Sequence, residues 1–160
     1  MGPHLGRRAM CRALALCLAA PAALARPAQE RDAIAMAERG AAVIRAHGKD
    51  EMMRRINAKD PDFVRGALYI DMRDLYSGIV LAHPINPTLV GKDLTDVPDA
   101  AGKRYRREII ELAQKSGKGW VDYQYKNPVS GKIEPKTTFI LRVGDVVLEA
   151  GIYKRSASGP

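Results

Sequence analysis

The run Val80-Leu81-Ala82-His83-Pro84-Ile85-Asn86-Pro87-Thr88-Leu89-Val90-Gly91-Lys92 leaves the chain few options. A short apolar strand meets a histidine and then two prolines. Proline fixes its own φ, lacks an N–H and restrains the residue before it. The strand therefore ends at His83, and the chain leaves as a loop. The following segment, 84–102, also contains Gly91, Pro98 and Gly102. Loops this long in compact domains are usually functional or disordered. Leu89, Val90, Leu94 and Val97 give this one apolar anchors, so an ordered cap over the sheet rim is expected, with a turn over 96–101. His83 then stands where a pocket can form, with a side chain that titrates near neutral pH.

The flanking sequence supplies the rest of an α+β domain. Ile34, Ala37, Ala41 and Ile44 recur at helical spacing and predict a long helix over 27–47. Met52 and Ile56 predict a shorter one over 49–58, stopped by Asp60-Pro61-Asp62. Residues 67–72 and 78–83 read as a strand pair. Tyr105, Ile109 and Leu112 predict a third helix over 103–116, with Gly117 and Gly119 at its exit. Residues 119–125, 136–143 and 146–153 read as three strands. Asn127 to Gly131 and Gly144-Asp145 are the turns between them. This order implies an antiparallel five-stranded sheet with the helices gathered on one side.

The first 25 residues read as a leader. Arg7, Arg8 and Arg12 precede an uncharged apolar run over 13–24, and Ala23-Leu24-Ala25 is a small-x-small cleavage site before Arg26. The run is shorter than the ~20 residues a spanning helix needs, although an uncleaved membrane anchor is the alternative. The expected organisation is a signal peptide over 1–25, one domain over 26–155 and a tail over 156–160. The expected destination is the periplasm or the medium. Both cysteines, Cys11 and Cys17, fall in the leader, so no disulfide, thiol nucleophile or thiolate metal site is expected beyond it. The net charge is +8, and +5 without the three leader arginines. Basic and acidic residues are mixed along the chain, with no basic stripe of the kind nucleic acid needs.

No motif of an enzyme is present: no Gly-x-Ser-x-Gly, no His-Glu-x-x-His and no phosphate loop. Asp71, Asp74 and Asp122 lack the compact acidic loop of a calcium site. No cofactor or metal is expected. Strand alternation places Val121, Tyr123 and Tyr125 on one face and Trp120, Asp122 and Gln124 on the other. One face packs on the first helix and the other looks into the space under the cap. The two tyrosines are either hydroxyl donors in a pocket or core aromatics. Tyr69 and Trp120 are candidate pocket walls. Lys136 follows Pro135 at the entry of an apolar strand and reads as either a solvated strand end or a buried charge. His83 is either a ligand donor or a residue that holds the cap through a backbone carbonyl. Within the run Arg104 to Arg107, Tyr105 faces inward and the arginines are expected in solvent.

Several segments in order resemble the single Cache domain, second subtype. They are Leu68-Tyr69-Ile70-Asp71, Gly78 to Pro84, Leu89 to Leu94, Gly119 to Tyr123, Asn127-Pro128, Gly131-Lys132, Glu134-Pro135-Lys136 and Gly151-Ile152-Tyr153. The resemblance implies a PAS-like antiparallel sheet behind a long N-terminal helix, binding small ligands outside the cytoplasm. It implies short organic acids as ligands, a place in chemotaxis or kinase signalling, and a membrane receptor or sensor kinase as partner. The Pro135-Lys136 step matches a position the family uses at its pocket. The expected ligand set is Tyr69, His83, Trp120, Tyr123, Tyr125 and Lys136. Two departures stand out. Arg73 to Ser77 replaces a tighter Asp–Gly turn. The sequence also ends seven residues after Tyr153, which suggests a stand-alone module, either ligand-binding or docking on a receptor without a ligand.

Overall fold

The computed structural model describes Gly2 and residues 28–154. The leader, its cleavage site and the tail lie outside the described residues. Helix α1 spans Glu30–His47, later than expected because Ala28 and Gln29 are not helical. The Gln29 N–H donates to the Asp32 carboxylate at 2.8 Å and fixes the first turn. Its buried face is Ala33, Met36, Ala37, Gly40 and Ala41, with Ile34 and Ile44 only flanking it. A Cβ on Gly40 would lie 2.9 Å from Met52 Cε and 3.1 Å from Leu148 Cδ1. Glycine there lets α1 approach both its neighbour helix and the sheet. Helix α2, Lys49–Asn57, buries Met52 and Ile56 as its spacing predicts.

Strands β1 (Val64–Arg65), β2 (Leu68–Asp74), β3 (Val80–Ala82), β4 (Lys118–Lys126), β5 (Ile133–Val143) and β6 (Val146–Tyr153) form one antiparallel sheet. The order is β1-β2-β6-β5-β4, and β3 shares the outer edge of β2 with β1. The two-residue β1 is the addition to the five strands read from sequence. It is too short to show a period. The β2–β3 register shifts between Met72 and Arg73. The Asp74 carboxylate then accepts the N–H groups of Tyr76 and Ser77, which closes the longer turn.

The helices do not gather on one side. α1 and α2 cover one face, packing on Ile70, Met72, Phe139, Leu148, Ala150 and Ile152. Helix α3, Tyr105–Ser116, lies on the other, where Ile109 and Ala113 meet Val121, Ile140 and Val147. Period-two alternation makes both faces apolar at their centres, so each can hold a helix.

The segment 84–102 is ordered. A single 3-10 turn, Pro87–Leu89, follows the prolines. Gly91 N–H donates to Val80 O at 2.8 Å, and Val80 N–H to Lys92 O at 3.0 Å, so the segment runs along the free edge of β3. Its far end is pinned by Asp99, whose carboxylate accepts the N–H groups of Ala101, Lys103 and Gln124.

Candidate functional site

The face of the sheet that carries α3 turns polar toward its β2 end. Alternation along β2 sends Tyr69, Asp71 and Arg73 to this face while Ile70 and Met72 enter the α1 core. Across the ladder, Asp71 stands opposite Glu149, and Tyr69 opposite Gly151. Lys136 of β5 stands between Tyr123 and Tyr153. Tyr69, Asp71, Arg73, Tyr123, Lys136 and Glu149, with His83, Leu89, Tyr105, Arg106 and Tyr125, line a cavity of about 10 Å³, room for about one water.

Lys136 is the central feature. It is 2% exposed, and its Nζ lies 3.9 Å from the Tyr69 ring centre. The rings of Tyr125, Tyr153 and Tyr123 follow at 5.2, 5.3 and 5.9 Å. Among the described residues no carboxylate comes within the 4.0 Å of an ion pair. Burial pulls the ammonium down to about 8, against the attraction of Asp71 and Glu149. It is still mostly charged at pH 7. Gly151 makes this placement possible: a Cβ there would lie 2.1 Å from Lys136 Cε. The lysine crosses β6 over the bare glycine to reach Tyr69.

Around it sit four more ionisable groups. Arg73 grips Glu149 through Nε at 2.7 Å and Nη2 at 3.4 Å, with Nη1 on Gly78 O. Despite burial, Glu149 holds this guanidinium firmly protonated. Asp71 faces Glu149 across the ladder, and burial pushes both carboxyls up, Asp71 despite Lys136, Arg73 and Arg106. Arg106 is 7% exposed, lies over the Tyr105 ring at 4.3 Å and donates to Val97 O at 3.1 Å. It thus ties α3 to the cap. Tyr105 stacks on Tyr123 at 3.8 Å, and the Tyr123 hydroxyl pairs with Thr138 Oγ1 at 2.8 Å.

His83 ends β3 at the cavity edge, 5% exposed. Its Nδ1 accepts the N–H groups of Ile85 at 3.2 Å and Asn86 at 3.0 Å. It holds the cap through amides rather than through a carbonyl, because Pro84 turns the next two N–H groups back onto the ring. An Nδ1 that accepts twice leaves the proton on Nε2. Burial, then the Lys136 charge, keep the ring neutral, down at about 4.

Five of the six residues singled out from sequence meet at this cavity: Tyr69, His83, Tyr123, Tyr125 and Lys136. Trp120 does not. It lies on the other face, 5.2 Å from Phe139, against the α1 core, as strict alternation from Tyr123 requires. Arg106 is not solvated with its neighbours: it points inward one position after Tyr105, where α3 meets the cap. Asp71, Arg73, Tyr105 and Glu149 were missed as well. The available signal was charge inside apolar strands: Leu68-Tyr69-Ile70-Asp71-Met72-Arg73 and Val147-Leu148-Glu149-Ala150. Among the described residues no cluster of metal-ligating side chains occurs, and no helix is long and apolar enough to cross a membrane.

Comparison with known proteins agrees with this architecture. Residues 33–154 match the family described as Single Cache domain 2. A methyl-accepting chemotaxis protein from Vibrio parahaemolyticus RIMD 2210633 superposes with a TM-score of 0.66 at 24% identity, over 77% of this chain and 86% of that one. A periplasmic sensor domain of a chemotaxis protein gives 0.59 at 29% identity, over 77% and 88%. A structure described as the basis for carboxylic acid recognition by a Cache chemosensory domain gives 0.60 at 20% identity, over 77% and 86%. With most of its length matched in one register, the chain belongs to the Single Cache domain 2 family of sensor domains.

Proposed function

We propose that this is a periplasmic sensor domain whose ligand is a small organic acid, held by its carboxylate under the 84–102 cap. The observation that carries the reading is Lys136, a buried ammonium with aromatic rings around it and no carboxylate at ion-pair distance. Burying a charge without a partner is costly, and an arriving anion removes that cost. The rings add a modest attraction, about 0.5–2 kcal/mol for a single cation–π contact. The Nε2–H of His83 supplies a directed donor, and Tyr69 and Tyr125 supply walls. The carboxylic acid recognised by the similar Cache domain fits the same chemistry.

A two- to four-carbon acid needs more room than the present cavity of about 10 Å³. The floor is a hydrogen-bonded sheet and yields little. The cap, tied to β3 by backbone hydrogen bonds and to α3 by Arg106 and Arg107, is the wall that adjusts outward on binding. That movement, passed to a membrane receptor or kinase, is the output we assign to the domain. Binding without turnover is favoured because the cavity groups are paired or caged and no nucleophile–base pair stands among them. Export rests on the leader, and the mass of the protein recovered from periplasm, beginning at Arg26, checks it.

The test is a thermal-shift screen of two- to four-carbon acids. At a hundredfold excess over Kd, mass action adds about 2.7 kcal/mol and moves the melting temperature by several degrees. If no acid shifts the wild type, or if Lys136→Ala shifts equally, the reading is wrong.

A further inference from the structure

Asp71 and Glu149 face each other across β2 and β6, 7% and 2% exposed, on the cavity floor. Directly opposite residues on paired antiparallel strands place their side chains side by side on one face. Burial pushes both carboxyls up, and two neighbouring buried acids do not both ionise easily. One cation, Arg73, grips Glu149 alone. Lys136 and Arg106 make no ion pair with either acid. An incoming carboxylate would bring a further negative charge into the same small space. Ionised Asp71, ionised Glu149 and a bound carboxylate would then crowd together away from water, and like charges so placed do not all stay ionised.

We propose that Asp71 makes the site take its anion only together with a proton: the Asp71–Glu149 pair keeps one proton for as long as a carboxylate occupies the cavity. The inference rests on the reading of the cavity as a carboxylate site and adds its regulation. The sensor then responds to acid and pH jointly.

The other groups that face the pair do not supply this linkage. Arg73 on β2 is held protonated by Glu149, and Arg106 on α3 donates to Val97 O rather than to either acid. Burial pushes up the hydroxyls of Tyr69 on β2, Tyr105 on α3, Tyr123 and Tyr125 on β4, and Tyr153 on β6, so they stay neutral. His83, at the end of β3, would have to give up both backbone N–H groups on Nδ1 to take a second proton. Lys136 on β5 titrates only near 8.

The experiment is calorimetric titration of the whole protein with acetate and with lactate between pH 5 and 9, in two buffers of different ionisation enthalpy. Asp71→Asn keeps the shape and needs no shared proton. In the wild type, Kd should weaken about tenfold per pH unit over an interval below pH 8, with up to about one proton taken up per acid bound. In Asp71→Asn, Kd should stay flat up to about pH 8, where Lys136 begins to lose its charge. Superposed profiles for the two proteins overturn the proposal. So does wild-type binding with no proton uptake below pH 8, a result that stands even if the variant does not fold. Failure of both acids to bind at any pH overturns the carboxylate reading itself.

Discussion

Replacing Lys136 by methionine should make the ligand-free domain more stable and blind to acids. Methionine has nearly the length of lysine and no charge, so it can follow the same path over Gly151 toward the Tyr69 ring. The magnitude follows from the titration of the lysine. A fall from 10.5 to about 8 is a bias of about 3 kcal/mol against the charged form in the folded state. Methionine does not carry that bias, and for a domain of this size 3 kcal/mol is about 10 °C in melting temperature. The sign with pH is also fixed. Between about 8 and 10.5 the unfolded chain binds more protons at this position than the folded one, so wild-type stability rises with pH there. The gap between variant and wild type should be full below pH 8 and close by about pH 10.5. Urea denaturation of dialysed protein at pH 7 and pH 10 measures both. A variant less stable than the wild type at pH 7, or one that still responds to acids, would refute the argument that Lys136 is an anion-seeking buried charge.

Three further outcomes follow from the same geometry. Gly151→Ala drives a methyl group into Lys136 Cε and should cost about 1–3 kcal/mol by overpacking, with loss of acid binding; adding Lys136→Ala should recover the stability but not the binding, read by urea midpoint and calorimetry. Below pH 6.5 the wild type should lose up to about 3 kcal/mol as the pH falls toward 4, because the unfolded chain protonates His83 and the folded one does not; His83→Gln should flatten that limb of the stability curve. Trp120→Leu should lower stability through its contact with Phe139 and the α1 core while leaving acid affinity within twofold of wild type.

The elements were legible wherever one residue type repeats at one period. The edges of β6 and the C-terminal ends of α1 and α3 coincide with the sequence reading, because Gly48 and Gly117 stop the helices and Gly144-Asp145 sets the hairpin. Alternation in β4 correctly separated Tyr123 and Tyr125 from Trp120, but it could not say which set faces the cavity. That choice depends on which face α1 covers, a contact between parts of the chain far apart in sequence. The charged floor was illegible for the same reason. Arg73 and Glu149 are 76 positions apart, and each taken singly resembles a surface residue on a half-exposed strand. Arg106 was hidden by its company, since four consecutive residues with three arginines look like one solvated turn. Its inward placement depends on the Tyr105 ring beside it and on the carbonyl of Val97, brought over α3 by the cap.

On the proposed reading of the cavity, the two faces of this sheet divide stability from recognition, and the strand period ties them together. Ile70 and Met72 pack on α1 while Tyr69, Asp71 and Arg73 look the other way, so a one-residue slip of β2 would exchange them. It would bury two charges among alanines and methionines and leave the cavity lined with isoleucine. The register is therefore held by more than backbone pairing. The Arg73–Glu149 bridge spans β2 and β6, and Lys136 fits over β6 only where Gly151 lies beside it. Buried ionic contacts of this kind add little net stability, since desolvation offsets most of their attraction. Their value lies in making the slipped arrangement far worse than the native one. The same residues that make the cavity an expensive place to build thus specify where it must be built, and the apolar face under α1 supplies the stability that the charged face does not.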